Sequence, residues 1–266
     1  MEMEMMGRSL GMEQKQILTH RYDVRDRAPD STITLDYTMI RTQGEMAMPS
    51  LGRTMRYDSA DTTATGRAGQ MSRRMRAITG HTLTARLSPQ GSVQAVTGVE
   101  VLLDSLTAGQ DTVQAQRLRR MLSPSAVRQQ VNLNLNIYPD RAVTPGDRWS
   151  SQSSVRLGFP MQIDATYTLD SIRSDRAVVD AHMNIASAEG DSTMRIGGMA
   201  MDMSLEGHME GTILMDVRSG LPSETDLTLE ISGRGTVNRG EGTSLEMDLS
   251  SKGAVRTTFR PWTGNE

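Results

Sequence analysis

Met199, Met201, Met203, Leu205, Gly207, Met209, Gly211, Ile213, Met215 and Val217 hold a single parity across 19 residues, separated by mostly polar neighbours. A period of two marks a strand with one buried face, and at about 3.3 Å per residue this run would reach roughly 60 Å. A two-residue hairpin inside it would have inverted the parity. Two arrangements remain: one long strand that bends at Gly207 and Gly211, or two strands joined by a loop of odd length. The bent strand is expected, because Leu245, Met247, Leu249, Gly253, Val255 and Phe259 also suit a long curved strand.

The same alternation recurs at Ile33, Leu35, Tyr37 and Met39 and again at Met161, Ile163, Ala165, Tyr167 and Leu169. Further strands are expected at 12–24, 81–87, 131–137, 177–185, 225–231 and 244–259, with turns at Ser88-Pro89-Gln90-Gly91 and Ser219-Gly220-Leu221-Pro222. Helical signals are few. Ala68, Met71, Met75 and Ile78 stop at Gly80, and Asp111 can cap a second helix carrying Val113, Leu118, Met121 and Leu122 ahead of Pro124. A weak repeat of layout, beginning at Tyr22 and again at Tyr167, suggests two similar halves, 1–138 and 152–266, joined by a linker turn at 139–151.

Composition narrows the function classes. The 266 residues contain no Cys, 21 Met and only 3% aromatics, with a formal charge of -3. Disulfides, thiolate catalysis and Cys-based zinc sites are excluded, and a core must rely on Met, Leu, Ile and Val. Neither a nucleic-acid footprint nor an apolar run long enough for a membrane helix is present. An aromatic-girdled outer-membrane barrel does not fit either. Residues 1–138 hold 17 basic and 13 acidic side chains, and residues 139–266 hold 12 and 19. Arg73, Arg74, Arg76, Arg117, Arg119 and Arg120 fall in the two helices, as solvated faces or as a patch for anionic lipid headgroups.

Chemical motifs are weak. Gly7-Arg8-Ser9-Leu10-Gly11 has the form of a nucleophile elbow, but a strand pattern leaves it where a helix is needed, so a hairpin loop is expected. His20, His81, His182 and His208 lack metal-ligand spacing. Copper(I) held by Met199, Met201, Met203 and Met209 with His208 is opposed by parity, which turns His208 to the other face. No nucleotide fingerprint occurs, and Gly233-Arg234-Gly235 reads as a strand turn. No catalytic residue, cofactor or metal is assigned, and the chain is read as non-enzymatic.

Pro139-Asp140-Arg141-Ala142-Val143-Thr144-Pro145-Gly146-Asp147-Arg148-Trp149 has the form P-x-x-x-V-x-x-G-D-x-W. With the Met-Glu-Met-Glu-Met-Met-Gly opening, Tyr57-Asp58-Ser59, the stretch from Ile78-Thr79-Gly80 to Val96-Thr97-Gly98, and Ser219-Gly220-Leu221-Pro222, it resembles a family of uncharacterised exported bacterial proteins, a domain of unknown function. The resemblance covers nearly the whole chain. It implies an exported or lipid-anchored periplasmic or envelope protein. The alternating run at the start of the chain likewise raises the expectation of an upstream export segment. Read structurally, the motif is a tight turn at Pro145-Gly146, capped by Asp147, with Trp149 pinning the second half to the first.

The expected fold is mainly β: two antiparallel meanders forming a curved, half-barrel-like sheet with two short helices near its open side, or alternatively a β-sandwich. In shape this resembles the half-barrels of envelope lipoprotein carriers. Met161, Met199, Met201, Met203, Met209, Met215 and Met247 share the apolar face, either as mutual packing or as an adaptable lining for an apolar ligand or lipid. A structural or partner-binding envelope module is the alternative.

Overall fold

The computed structural model describes residues 2–4, 9–10, 12–48, 52–108, 112–135, 137–156, 160–188, 193–196, 199–238 and 244–261. Mainly β, the chain forms one open, curved sheet that does not close into a barrel. Its first part comprises β1 (Glu2–Glu4), β2 (Ser9–Leu10), β3 (Met12–Arg27), β4 (Ile33–Met48), β5 (Arg53–Asp58), β6 (Thr82–Leu87) and β7 (Val93–Thr97), with α1 (Gly66–Ile78) between β5 and β6. Then come α2 (Val99–Thr107), α3 (Thr112–Met121) and α4 (Pro124–Leu135). The second part is β8 (Arg148–Arg156), β9 (Pro160–Arg173), β10 (Arg176–Ser187), β11 (Thr193–Ile196), β12 (Met199–Asp216), β13 (Pro222–Asn238) and β14 (Ser244–Pro261).

The order across the sheet is β7-β6-β4-β3-β14-β13-β12-β10-β9-β8. Both parts are antiparallel meanders, and they meet where β14 runs parallel to β3. The long alternating run is a single strand, β12, continuous from Met199 to Asp216. Arg148 to Ser151, expected in the linker, already belong to β8, whereas Gly233-Arg234-Gly235 lies inside β13 and makes no turn. Gly7 and its neighbours at 5–8 and 11 lie outside the described residues, although Ser9 and Leu10 pair antiparallel with Glu4 and Met3.

Bending is assisted by glycines on the buried parity. A Cβ on Gly207 would lie 2.3 Å from the Glu230 carbonyl oxygen, and one on Gly233 would lie 2.0 Å from that of Ser204. Across neighbouring strands each such glycine faces a bulky partner: Gly207 faces Ile231, Gly211 faces Leu227, and Gly233 faces Leu205. Large side chains therefore fill the space that the glycines leave, in the way aromatic residues cover strand glycines. Tyr57 does the same over Gly44, its direct partner on β4.

The helices differ from expectation in number. Four are present among the described residues, and of 131–137, expected as a strand, 131–135 form the end of α4 while Ile137 lies in the chain beyond it. Val131, Leu133, Leu135 and Ile137 alternate, but Val127, Val131 and Leu135 also recur at a spacing of four, and these three are buried. The short apolar run fitted both periods, and contact with the sheet selected the helix. α2 buries Val99, Leu102 and Leu103 as one stripe and starts at Gly98, whose φ is +90°. α4 packs on edge strand β7 and reaches the other edge, β8. Asn132 on α4 accepts a hydrogen bond from the Val93 N–H at 2.9 Å, so the helix satisfies a group on an otherwise open edge. Among the described residues no helix is long and apolar enough to cross a membrane.

Gly211 combines a φ of +151° with an ideal Cβ only 2.0 Å from the Asp226 carbonyl oxygen. Gly211→Ala is expected to cost about 2–3 kcal/mol, read as a lower urea midpoint at unchanged slope. Wild-type stability in that variant would mean that the bend does not depend on this glycine.

Candidate functional site

The aromatic residues are scarce, yet three of them gather with His20 on the inner face where β3, β4 and β14 adjoin. Phe259 is the register partner of His20 across the parallel pair, and Tyr22 faces Tyr37 across β3 and β4. Ring centroids lie 4.8 Å apart for Tyr22 and Phe259, 4.8 Å for His20 and Tyr37, and 5.6 Å for His20 and Phe259. The β3–β4 register shifts between Thr19 and His20, where Ile40 on β4 is the extra residue. Bulges of this kind concentrate beside functional sites. Leu35, Leu83, Val127, Val131, Leu135 and Leu221 complete the apolar surround, drawn from strands, α4 and a turn.

Polar atoms inside this cluster are incompletely paired. His20 is 1% exposed and Tyr22 is 4% exposed. The Tyr37 hydroxyl lies 3.4 Å from Nε2 of His20, while Nδ1 of His20 and the hydroxyl of Tyr22 have no partner. Burial drives the His20 pKa down to about 4, so the imidazole is neutral across the physiological range. Burial also pushes the Tyr22 phenol well above its ordinary range, with further contributions from Tyr37 and Tyr138. Tyr138 is itself satisfied, donating to the Gly220 carbonyl oxygen at 2.7 Å.

The conspicuous sequence motifs fasten elements of the sheet to one another, and one of them joins this cluster. In the turn at Pro145-Gly146, Asp147 accepts from the Thr144 N–H at 2.7 Å, and the Gly146 N–H donates to the Leu169 carbonyl at 2.7 Å. The Trp149 indole donates to the Ile137 carbonyl at 3.0 Å and stacks on Tyr167, pinning β8 to the chain leaving α4. Tyr57-Asp58-Ser59 ties β5 to β4 and α1: Asp58 accepts from Arg41 at 3.0 Å, Ser59 Oγ accepts from the Thr42 N–H, and the Asp58 N–H donates to Ser72 Oγ. Ser219-Gly220-Leu221-Pro222 buries Leu221 in the aromatic cluster and supplies the Tyr138 acceptor.

The methionine face is partly assembled. Met161 and Met203 are buried together with Val155, Ile163 and Ile185; Met209 is half-buried against them, and Met215 is half-buried against a neighbouring cluster around Ile213. Met199 and Met201 lie in β12 and Met247 in β14, but their side chains are outside the described residues. Arg73 and Arg74 are exposed on α1, whereas Arg76 donates to the Ser59 carbonyl at 2.9 Å and Arg119 pairs with Asp104 at 2.7 Å. The Arg117 and Arg120 side chains lie outside the described residues. His208 lies on the polar outer face, in a groove of about 560 Å³ with Glu230 and Lys252, as its parity requires. Among the described residues no group of His, Asp and Glu could hold a metal ion.

The sequence model of a family of unknown function, DUF6263, matches residues 30–222. The chain belongs to this family. No curated protein and no solved structure matches it. The DUF6263 match includes the Tyr-Asp-Ser, Gly-Asp-x-Trp and Ser-Gly-Leu-Pro elements, while His20, Tyr22 and Phe259 lie outside it on β3 and β14. Sequence reasoning treated His20 as one of four scattered histidines and missed its place in the aromatic cluster. The available signal was parity: His20 and Tyr22 share one face while Thr19, Arg21 and Asp23 hold the other.

For a base whose folded pKa lies below its unfolded value, the unfolded chain binds the proton first, so stability is lost as pH falls from about 6.5 toward 4. Unfolding measured across that window is expected to show a loss of about 3 kcal/mol, and His20→Phe to remove most of the slope. An unaltered slope in the variant would assign the pH dependence to other groups.

Proposed function

We propose that this DUF6263 member is a non-enzymatic protein of the cell envelope that takes up an apolar ligand or lipid along the inner face of its sheet. The observation that carries the reading is a band of half-buried apolar side chains on adjacent strands. Met183 on β10, Met209 on β12 and Leu229 on β13 form one register row. Leu205, Met215 and Leu227 extend the same face along β12 and β13. These side chains pack against two core clusters and stay only half-covered, which is how an apolar ligand groove is lined. Within the band Ile231, Leu227 and Leu205 cover Gly207, Gly211 and Gly233, and methionine adapts its flexible thioether to ligands of varied shape. The envelope setting rests on the sequence resemblance to exported proteins.

Close packing of Met161 and Met203, which are 3% and 4% exposed, supports the second reading, a structural or partner-binding envelope module. Fluorescence titration with N-phenyl-1-naphthylamine separates the two. Uptake by the ligand-binding form is expected to saturate, and Met209→Glu, at a half-buried position, is expected to weaken it about tenfold by placing charge against apolar ligand. Absence of saturable uptake by folded wild type would leave the structural module.

A further inference from the structure

We infer that His20 and Tyr22 are a polar anchor that selects, among apolar ligands, those carrying one uncharged hydroxyl. This inference rests on the ligand-binding reading above and specifies its chemistry. Two residues apart on β3, both side chains project to the inner face, their Cα atoms about 7 Å apart. Phe259 stacks on both rings, so the two unpartnered atoms sit within one aromatic wall.

The remaining hydrogen-bonding capacity defines the guest. Nδ1 of the neutral His20 ring accepts or donates one hydrogen bond according to tautomer, and the Tyr22 phenol can donate one and accept another. An alcohol can donate to one of these groups and accept from the other. A buried polar group left unpaired costs about 1–3 kcal/mol, and a phenylalanine in place of Tyr22 would avoid that cost. Retaining both groups unpaired is therefore consistent with a partner supplied from outside the chain. The neighbourhood also bars charge. The buried side chains clustered around them are apolar or aromatic, Leu35, Leu83, Val131 and Leu221 among them. A carboxylate or phosphate placed here would be buried without a counterion.

The anchor is continuous with the apolar band. On β14, Gly253 pairs with Leu229 and Val255 with Leu227, while Thr257 and Phe259 follow on the same parity toward His20. From Gly253 to Phe259 the strand covers about 20 Å, the length that an extended aliphatic chain would span to bring its hydroxyl to β3.

The test is displacement of N-phenyl-1-naphthylamine at pH 8 by hexadecane, hexadecanol and hexadecanoate, using wild type and Tyr22→Phe. Hexadecanol is expected to bind wild type at least tenfold more tightly than either competitor. Tyr22→Phe is expected to bring hexadecanol within about twofold of hexadecane. In ¹⁵N-labelled wild type, the His20 ring nitrogen resonances are expected to shift with hexadecanol and stay in place with hexadecane, a readout that holds even if the variant fails to fold. Equal displacement by alcohol and alkane, or unmoved His20 resonances on alcohol binding, would overturn the anchor while leaving the apolar-ligand reading intact. The latter result would point to a buried water as the partner of these groups. Failure of the probe to bind, or of all three competitors to displace it, would overturn both.

Discussion

The parallel pairing of β3 with β14 is the contact on which the rest of the structure depends. From Ser251 with Met12 to Pro261 with Tyr22, it joins strands from opposite ends of the described chain and turns two antiparallel meanders into one sheet. Without it, each meander would expose a long unpaired edge at its inner end. The same register sets Phe259 against His20 and brings Tyr22 into stacking distance. A slip of one residue would move Phe259 to the outer face and empty the aromatic cluster. Sheet continuity and the candidate site thus share a single set of backbone hydrogen bonds.

Curvature follows from a second constraint, the pairing of small with large residues across β12, β13 and β14. Met209 and Leu229 share a row with Gly253, and Gly211 shares one with Leu227 and Val255. Large side chains on every position of a concave face would collide as the sheet bends, so the glycines supply space where the bend needs it. The two outer edges are handled by different means. α4 lies over β7 and touches β8, and Asn132 satisfies one of the free edge donors.

Strand positions were legible because parity is a local property. Ile33 to Met39, Met161 to Leu169 and the continuous β12 could all be read from their own residues. α4 was misread because Val131 and Leu135 satisfy both a period of two and a spacing of four, and only packing on the sheet decides between them. α2 was missed although Val99, Leu102 and Leu103 form a helical stripe, since a nine-residue element next to a strand gives a short signal. The anchor is less legible still. It unites residues 20, 22, 37 and 259, and nothing local announces that the two ends of the chain will pair in parallel.

That division also accounts for what the conspicuous motifs do. Gly-Asp-x-Trp closes a turn and pins β8, Tyr-Asp-Ser fastens β5 to α1, and Ser-Gly-Leu-Pro gives Tyr138 its acceptor. Each spends its polar atoms on the chain itself. In the aromatic cluster, by contrast, His20 Nδ1 and the Tyr22 hydroxyl hold hydrogen-bonding capacity that the fold does not use. Leu221 and the Tyr138 acceptor at Gly220 bring one of these self-satisfied turns against the cluster, whose polar atoms the fold leaves in a fixed place. Stability opposes this arrangement at every pH, through the unpaired phenol, and increasingly below pH 6.5 through the imidazole held neutral with a pKa of about 4. Phenylalanine at both positions would avoid these costs, and it is on this difference between His20 and Tyr22 and a purely apolar pair that the inferred hydroxyl anchor rests.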